Sequence, residues 1–275
     1  MATFQSSDGL NLYYEDEGEG LPILCLPGLT RTTADFDDVT PHLAGNRLIK
    51  MEYRGRNRSD FDPNWQNYSL PVEGRDVLEL LAHLGLEQAA ILGTSRGGMI
   101  GMGLAAMAKK HLLGVALNDV GPDLDPKGIE FIMVYLGRNP AARTYEEAAA
   151  ALAHVFAGQF PGVPDEIWLR EARRNYTQSD EGLQITYDPK LRDAIELTRG
   201  APLPDLWPFF DAMAGLPLAC IRGANSYLLK PETLAKMQER RPDMITAVVP
   251  DRGHVPFLNE PEAVTALQAW VEQMK

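Results

Sequence analysis

The sequence predicts an α/β protein built on a doubly wound, mostly parallel sheet, and three features carry that prediction. Short continuous apolar runs alternate with helical stretches, the pattern of strands buried on both faces and joined by crossover helices. One such run leads through Gly93-Thr-Ser-Arg-Gly97 directly into an apolar helix. From about residue 121 to 204 the rhythm breaks and no buried-strand run occurs, which predicts an insertion between two strands.

The elements follow in order. Alternating segments at 3–5 and 10–15 flank Asp8-Gly9, a strong hairpin signal. The apolar run 21–26 stops at Pro27-Gly28, and further runs lie at 48–53, 89–92 and 113–117. Val77, Leu80, Leu81 and Leu84 repeat at helical spacing, as do Met99, Met102, Leu104 and Met107. After the break come strand 216–221, helix 231–240, strand 245–249 and helix 261–274. The inserted stretch has Ala- and aromatic-rich helical segments at 145–156 and 164–176. Pro122, Pro126, Pro140, Pro161, Pro164 and Pro202 divide it into short pieces. Insertions in open α/β sheets leave from the carboxyl ends of strands, where ligands bind. A core of 1–120 plus 205–275, with a cap at 121–204, is therefore expected.

At 275 residues the chain can build a core without a metal or disulfide staple. A net charge of −12 argues against nucleic acid or an anionic membrane surface as partner, because both need a basic footprint. A small-molecule substrate is the expected partner. Cys25 and Cys220 each sit in an apolar run and read as small buried hydrophobes. The N-terminus has no basic or apolar leader region and no stretch of eighteen apolar residues occurs, so a soluble, cytoplasmic protein is expected.

Chemistry concentrates at three places. A Gly-x-Ser-x-Gly between strand and helix exposes the Ser95 hydroxyl on a sharp turn, with Gly93 and Gly97 permitting close approach. The amide of Arg96, opening the helix, faces where an oxyanion forms. A second amide is expected from Leu29, just after the strand-ending Pro27-Gly28. Among five histidines only His254 follows a strand late in the chain, whereas His42, His83 and His111 lie on or near surface helices and His154 lies in the insertion. The order serine, acid, histidine makes His254 the expected general base.

Together, Leu26-Pro-Gly-Leu29, Glu52-Tyr-Arg-Gly-Arg56 through Ser59-Asp60, Gly93-Thr-Ser-Arg-Gly97 and Gly253-His254 resemble the α/β-hydrolase family over nearly the whole chain. The resemblance implies an eight-stranded, mostly parallel sheet, a helical cap, and an oxyanion hole from the Leu29 and Arg96 amides. It implies no metal, nucleotide or other cofactor, and it puts Cys25 and Cys220 on non-adjacent strands, unpaired. In similar sequences the triad acid follows the seventh strand, as Arg-Gly-x-x-Ser-Asp-Leu-Leu. Here that segment is Arg222-Gly-Ala-Asn-Ser226-Tyr227-Leu-Leu229, and a neutral phenol cannot stabilise an imidazolium as a carboxylate does.

Three accounts stand at this point. Asp119, in Asn118-Asp-Val-Gly-Pro122 after the sixth strand, supplies the acid; the same residues also read as a turn anchoring the insertion. Alternatively, Tyr227 marks a crippled enzyme, or the protein binds a ligand without turning it over. Dehalogenases and epoxide hydrolases of this fold need a carboxylate nucleophile, so serine at position 95 points to acyl transfer at an ester or lactone. Arg96 and Tyr227 are candidate substrate contacts, with Arg96 alternatively paired to a cap carboxylate. Phe131, Tyr135, Trp168, Trp207, Phe209 and Phe210 line an acyl pocket or belong to the core.

Overall fold

The computed structural model describes residues 2–197 and 205–275. In chain order these form β1 (Ala2–Gln5), β2 (Asn11–Glu17), β3 (Leu21–Leu26), β4 (Asn46–Met51), α1 (Leu70–His83), β5 (Ala89–Thr94), α2 (Arg96–Met107) and β6 (Leu112–Asn118). The inserted stretch holds α3 (Pro126–Tyr135), α4 (Tyr145–Phe156), α5 (Asp165–Asn175), β7 (Tyr176–Ser179), β8 (Gly182–Ile185) and α6 (Leu191–Glu196). The chain then continues as α7 (Trp207–Asp211), β9 (Leu218–Gly223), α8 (Pro231–Arg240), β10 (Ile245–Val249) and α9 (Pro261–Glu272).

Eight strands make one sheet in the order β1-β2-β4-β3-β5-β6-β9-β10. The two pairings of β2 are antiparallel and every other pairing is parallel. Central β5 is buried along all six residues, which explains why its sequence is a continuous apolar run instead of an alternation. Val77 and Leu80 of α1, Ile100 and Leu104 of α2, Phe210 of α7 and Met237 of α8 pack on one face of the sheet. Phe36, Val39 and the α9 residues Leu267 and Trp270 cover the other. The sheet is thus sandwiched, and its carboxyl edge gathers the loops after β3, β5, β6, β9 and β10.

Cys25 and Cys220 are buried and free, on strands separated by β5 and β6. Burial pushes the Cys25 thiol up to about 12. The expected strand 48–53 ends earlier, at Met51; the Glu52 amide still donates to the Tyr13 carbonyl of β2 at 3.0 Å, and its buried carboxylate receives the Arg58 guanidinium. No helix among the described residues is long and apolar enough to cross a membrane.

The inserted stretch departs from the all-helical expectation. The helix expected at 164–176 stops at Asn175, and Tyr176 opens a two-stranded antiparallel hairpin with β8. These strands have four residues each and are half-exposed, so they left no continuous apolar run to detect. Gly182, at φ 123, closes the hairpin turn, a conformation that favours glycine. Ala148, Phe160, Trp168, Ala172 and Leu183 form a small core within this segment. Its expected end at 204, with Pro202, lies outside the described residues.

Candidate active site

The strand-to-helix turn holds Ser95 at φ 50 and ψ −111, directly before the first residue of α2. This is the left-handed half of the map, which costs a non-glycine residue about 1–3 kcal/mol. Neighbours leave the chain no other course. A methyl group on Gly93 would strike the Gly97 backbone, and one on Gly97 would strike the Leu26 carbonyl. The Ser95 amide donates to the Asn118 carbonyl of β6 at 2.9 Å, fixing the turn to the neighbouring strand.

His254 arrives from the loop after β10. Its Nε2 lies 3.1 Å from Ser95 Oγ, and its Nδ1 lies 2.7 Å from Asp119 Oδ2. A carboxylate only accepts, so Nδ1 carries the proton and Nε2 is free to accept from the serine hydroxyl. Asp119 follows β6 at φ 54 and is fully buried. Its amide donates to the Ile221 carbonyl of β9. Its Oδ1 accepts from the Gly223 amide at 2.9 Å, and its Oδ2 also accepts from Ser226 Oγ at 2.6 Å. The structure therefore brings Ser95, His254 and Asp119 together in one hydrogen-bonded line. Ser226 was present in the quoted motif without a role. Its Oγ shares Asp119 Oδ2 with the imidazole Nδ1, and no periodicity or spacing marked it.

Leu29 lies in the loop after β3, next to Ser95 at the cavity surface. Among the described residues neither its amide nor that of Arg96 donates to a protein group. Residues of the Glu52–Arg56 motif pin this loop from below. Tyr53 Oη donates to the Pro27 carbonyl at 3.0 Å, and Arg56 Nε donates to the Leu29 carbonyl at 3.0 Å. That motif is thus scaffold for the loop that faces the nucleophile.

The side chain of Arg96 does not reach the site. Its guanidinium turns inward to buried Glu73 of α1, which also pairs with Arg56 at 2.8 Å. This corrects both readings offered by the sequence, a substrate contact and a cap ion pair. A guanidinium at the first position of a buried helix is neutralised by the carboxylate that packing puts nearest, and here that is Glu73.

Tyr227 does sit at the cavity surface. Its ring lies 5.5 Å from the His254 ring and 5.0 Å from that of Phe131. Burial raises its phenol above the ordinary value, with smaller pushes from Tyr135 and Asp119, so it stands beside His254 as a neutral hydroxyl.

Ser95 and His254 open onto a cavity of about 490 Å³, within the range of about 300–1,000 Å³ typical of small-molecule sites. Leu29 and Thr30 line it from the loop after β3, and Ile132, Phe156, Trp168 and Ile185 line it from the inserted stretch. Of the six aromatic residues singled out in the sequence, Tyr135 and Trp168 line the cavity. Phe131 packs behind Tyr227. Phe210 is core, with Trp207 and Phe209 against it. Arg31 also reaches the cavity, but its guanidinium is held by Asp35 at 2.8 Å and by Glu171 of α5 at 2.5 Å.

Comparison with known proteins decides the family. The family model for the alpha/beta hydrolase fold matches residues 22–261. The chain belongs to this family. It is 36% identical to the 3-hydroxybutyrate-oligomer hydrolase of Cupriavidus necator, covering 88% of this chain and 85% of that one. It is 24% identical to the 2-(acetamidomethylene)succinate hydrolase of Mesorhizobium japonicum, over 94% and 90% of the two chains. A solved alpha/beta hydrolase from Novosphingobium aromaticivorans matches with TM-score 0.92 and 38% identity, covering 99% of this chain and 97% of that one. The protein is a hydrolase, and the cavity above Ser95 is its candidate active site.

Proposed function

We propose that this hydrolase cleaves carboxylic esters of short hydroxy acids through an acyl-enzyme on Ser95, with the stretch 121–204 acting as a cap. The observation that carries this reading is the line Asp119–His254–Ser95, at 2.7 and 3.1 Å, opening onto a largely apolar cavity. The ester class is supported by the 36% identity to a 3-hydroxybutyrate-oligomer hydrolase.

His254 Nε2 takes the Ser95 proton as Oγ bonds to the ester carbonyl carbon, and the carbonyl oxygen becomes an oxyanion facing the Leu29 and Arg96 amides. The intermediate collapses, the carbon–oxygen bond to the alcohol breaks, and the imidazolium gives its proton to the departing alkoxide. Water then attacks the acyl-serine, passing a proton to His254. Collapse returns that proton to Ser95 and releases the acid. Asp119 holds the Nδ1–H tautomer throughout and stabilises the imidazolium.

The reading of the chain as a binding relic depended on Tyr227 occupying the acid's usual position. Asp119 within 2.7 Å of His254 supports the hydrolytic reading instead.

Hydrolysis of p-nitrophenyl butyrate and of the 3-hydroxybutyrate dimer by wild type and Ser95→Ala tests the proposal. Turnover of both, lost in Ser95→Ala, is expected. Undiminished hydrolysis by Ser95→Ala would overturn it.

A further inference from the structure

Three guanidinium groups lie near enough to Ser95, in sequence or space, to hold an anionic part of a substrate. Two are already neutralised: Arg96 by Glu73, and Arg31 by Asp35 and Glu171. Arg138 differs. It lines the cavity, its side chain is exposed, and among the described residues it meets no carboxylate. The undescribed residues, Met1 and 198–204, contain no Asp or Glu that could serve. In a chain of net charge −12, a guanidinium left without a counter-ion at a mainly apolar cavity carries a local positive field that the rest of the protein does not provide.

Its place on the cavity wall indicates which half of an ester it meets. The Tyr227 ring packs 5.5 Å from the His254 imidazole. Phe131 links Tyr227 to Tyr135, its ring centroid lying 5.0 Å from the first and 6.2 Å from the second. The Tyr135 carbonyl accepts from the Arg138 amide at 3.2 Å. One wall therefore runs from the imidazole, which hands its proton to the departing alcohol, through two tyrosines to Arg138. Gly28 and Leu29 line the same cavity from the loop after β3, and in the esterase reading the Leu29 amide receives the oxyanion. Gly137, at φ 72, makes the turn that carries Arg138 from the end of α3 to the cavity.

We propose that Arg138 is a carboxylate-binding residue that selects esters whose alcohol half carries a free carboxylate, as the acid-terminal unit of a short hydroxy-acid oligomer does. The proposal rests on the serine-esterase reading above and specifies which end of the substrate the cavity recognises. A guanidinium suits this task because its fork of donors matches a carboxylate in two parallel hydrogen bonds. On this account the enzyme removes units from the acid end, where the leaving hydroxy acid bears the charge.

The test compares the 3-hydroxybutyrate dimer as free acid with its methyl ester. For wild type, kcat/KM is higher on the free acid. In Arg138→Gln the ratio of free acid to methyl ester falls about tenfold or more, as expected for loss of a charge-assisted hydrogen bond, and the change lies mainly in KM. Arg138→Lys restores part of the ratio, whereas Lys110→Gln, which removes an exposed charge outside the cavity, leaves it as in wild type. Equilibrium binding of the free acid to Ser95→Ala, with and without Arg138→Gln, reads the same contact without turnover and is expected to weaken about tenfold. An unchanged ratio together with unchanged binding overturns the Arg138 assignment even where Ser95-dependent hydrolysis stands. Hydrolysis that survives Ser95→Ala overturns the serine reading instead, whatever the binding result.

Discussion

Strands β6 and β9 are hydrogen-bonded neighbours, and their carboxyl ends carry the two residues that compete for one role. After β6 stands Asp119, fully buried, with the Gly223 amide, the Ser226 hydroxyl and His254 Nδ1 all donating to its carboxylate. After β9 stands Tyr227, whose ring lies 5.5 Å from the imidazole at an interplanar angle of 61° and whose phenol is neutral. On the proposed mechanism, the difference teaches that the orienting acid belongs to a place in space and not to a particular strand. The last residue of β6, Asn118, pairs with Ile221, two residues short of the end of β9, and loops leaving two parallel strands about 5 Å apart can each deliver a carboxylate to the same ring nitrogen. The β9 loop keeps a share in the work, because its Gly223 and Ser226 hold the acid that β6 supplies.

The largest break in this comparison comes from Asp119→Asn. An amide in that place favours the wrong histidine tautomer, and kcat on p-nitrophenyl butyrate is expected to fall about ten-thousand-fold. Circular dichroism and a denaturation midpoint would establish that the fold persists. Ser226→Ala comes next. It removes a hydroxyl donor from a buried carboxylate while the Gly223 amide remains, and a hydrogen bond to a charged group is worth about 1.5–3 kcal/mol. Steady-state kinetics should show kcat down by about tenfold, with KM little changed. Tyr227→Phe is the mildest. The ring packing on His254 and Phe131 survives, and turnover of the neutral p-nitrophenyl ester is expected to fall by no more than about threefold, since no step passes a proton through that hydroxyl. A fall comparable to that of Asp119→Asn would reverse the roles of the two strand ends.

The sequence made the sheet legible where burial was two-sided. The run 89–92 falls within β5, whose six residues are all buried, because a strand covered on both faces must be apolar throughout; the runs 21–26 and 245–249 coincide with β3 and β10, and helix 231–240 coincides with α8. The nucleophile turn was equally open to reading, since its two glycines are demanded by sterics that the structure makes explicit at Leu26 and Gly97. Arg96 was not. Nothing in a linear pattern tells whether a guanidinium beside a nucleophile turns toward the cavity or toward a carboxylate in another helix, and Glu73 lies 23 residues away. The hairpin β7–β8 escaped for a different reason, as half-exposed four-residue strands carry too few apolar positions to show a period. Arg138 drew no attention at all, because lacking a partner is a property of the folded surroundings and not of the residue.

The relay itself is best tested by a double-mutant cycle on Asp119 and His254, read as kcat on p-nitrophenyl butyrate for Asp119→Asn, His254→Ala and the two combined. Because Asp119 acts only through the imidazole, the combined variant should be no slower than His254→Ala alone. If the two losses multiplied instead, Asp119 would be acting independently of His254, and the hydrogen-bonded line from β6 to Ser95 would not be the catalytic one.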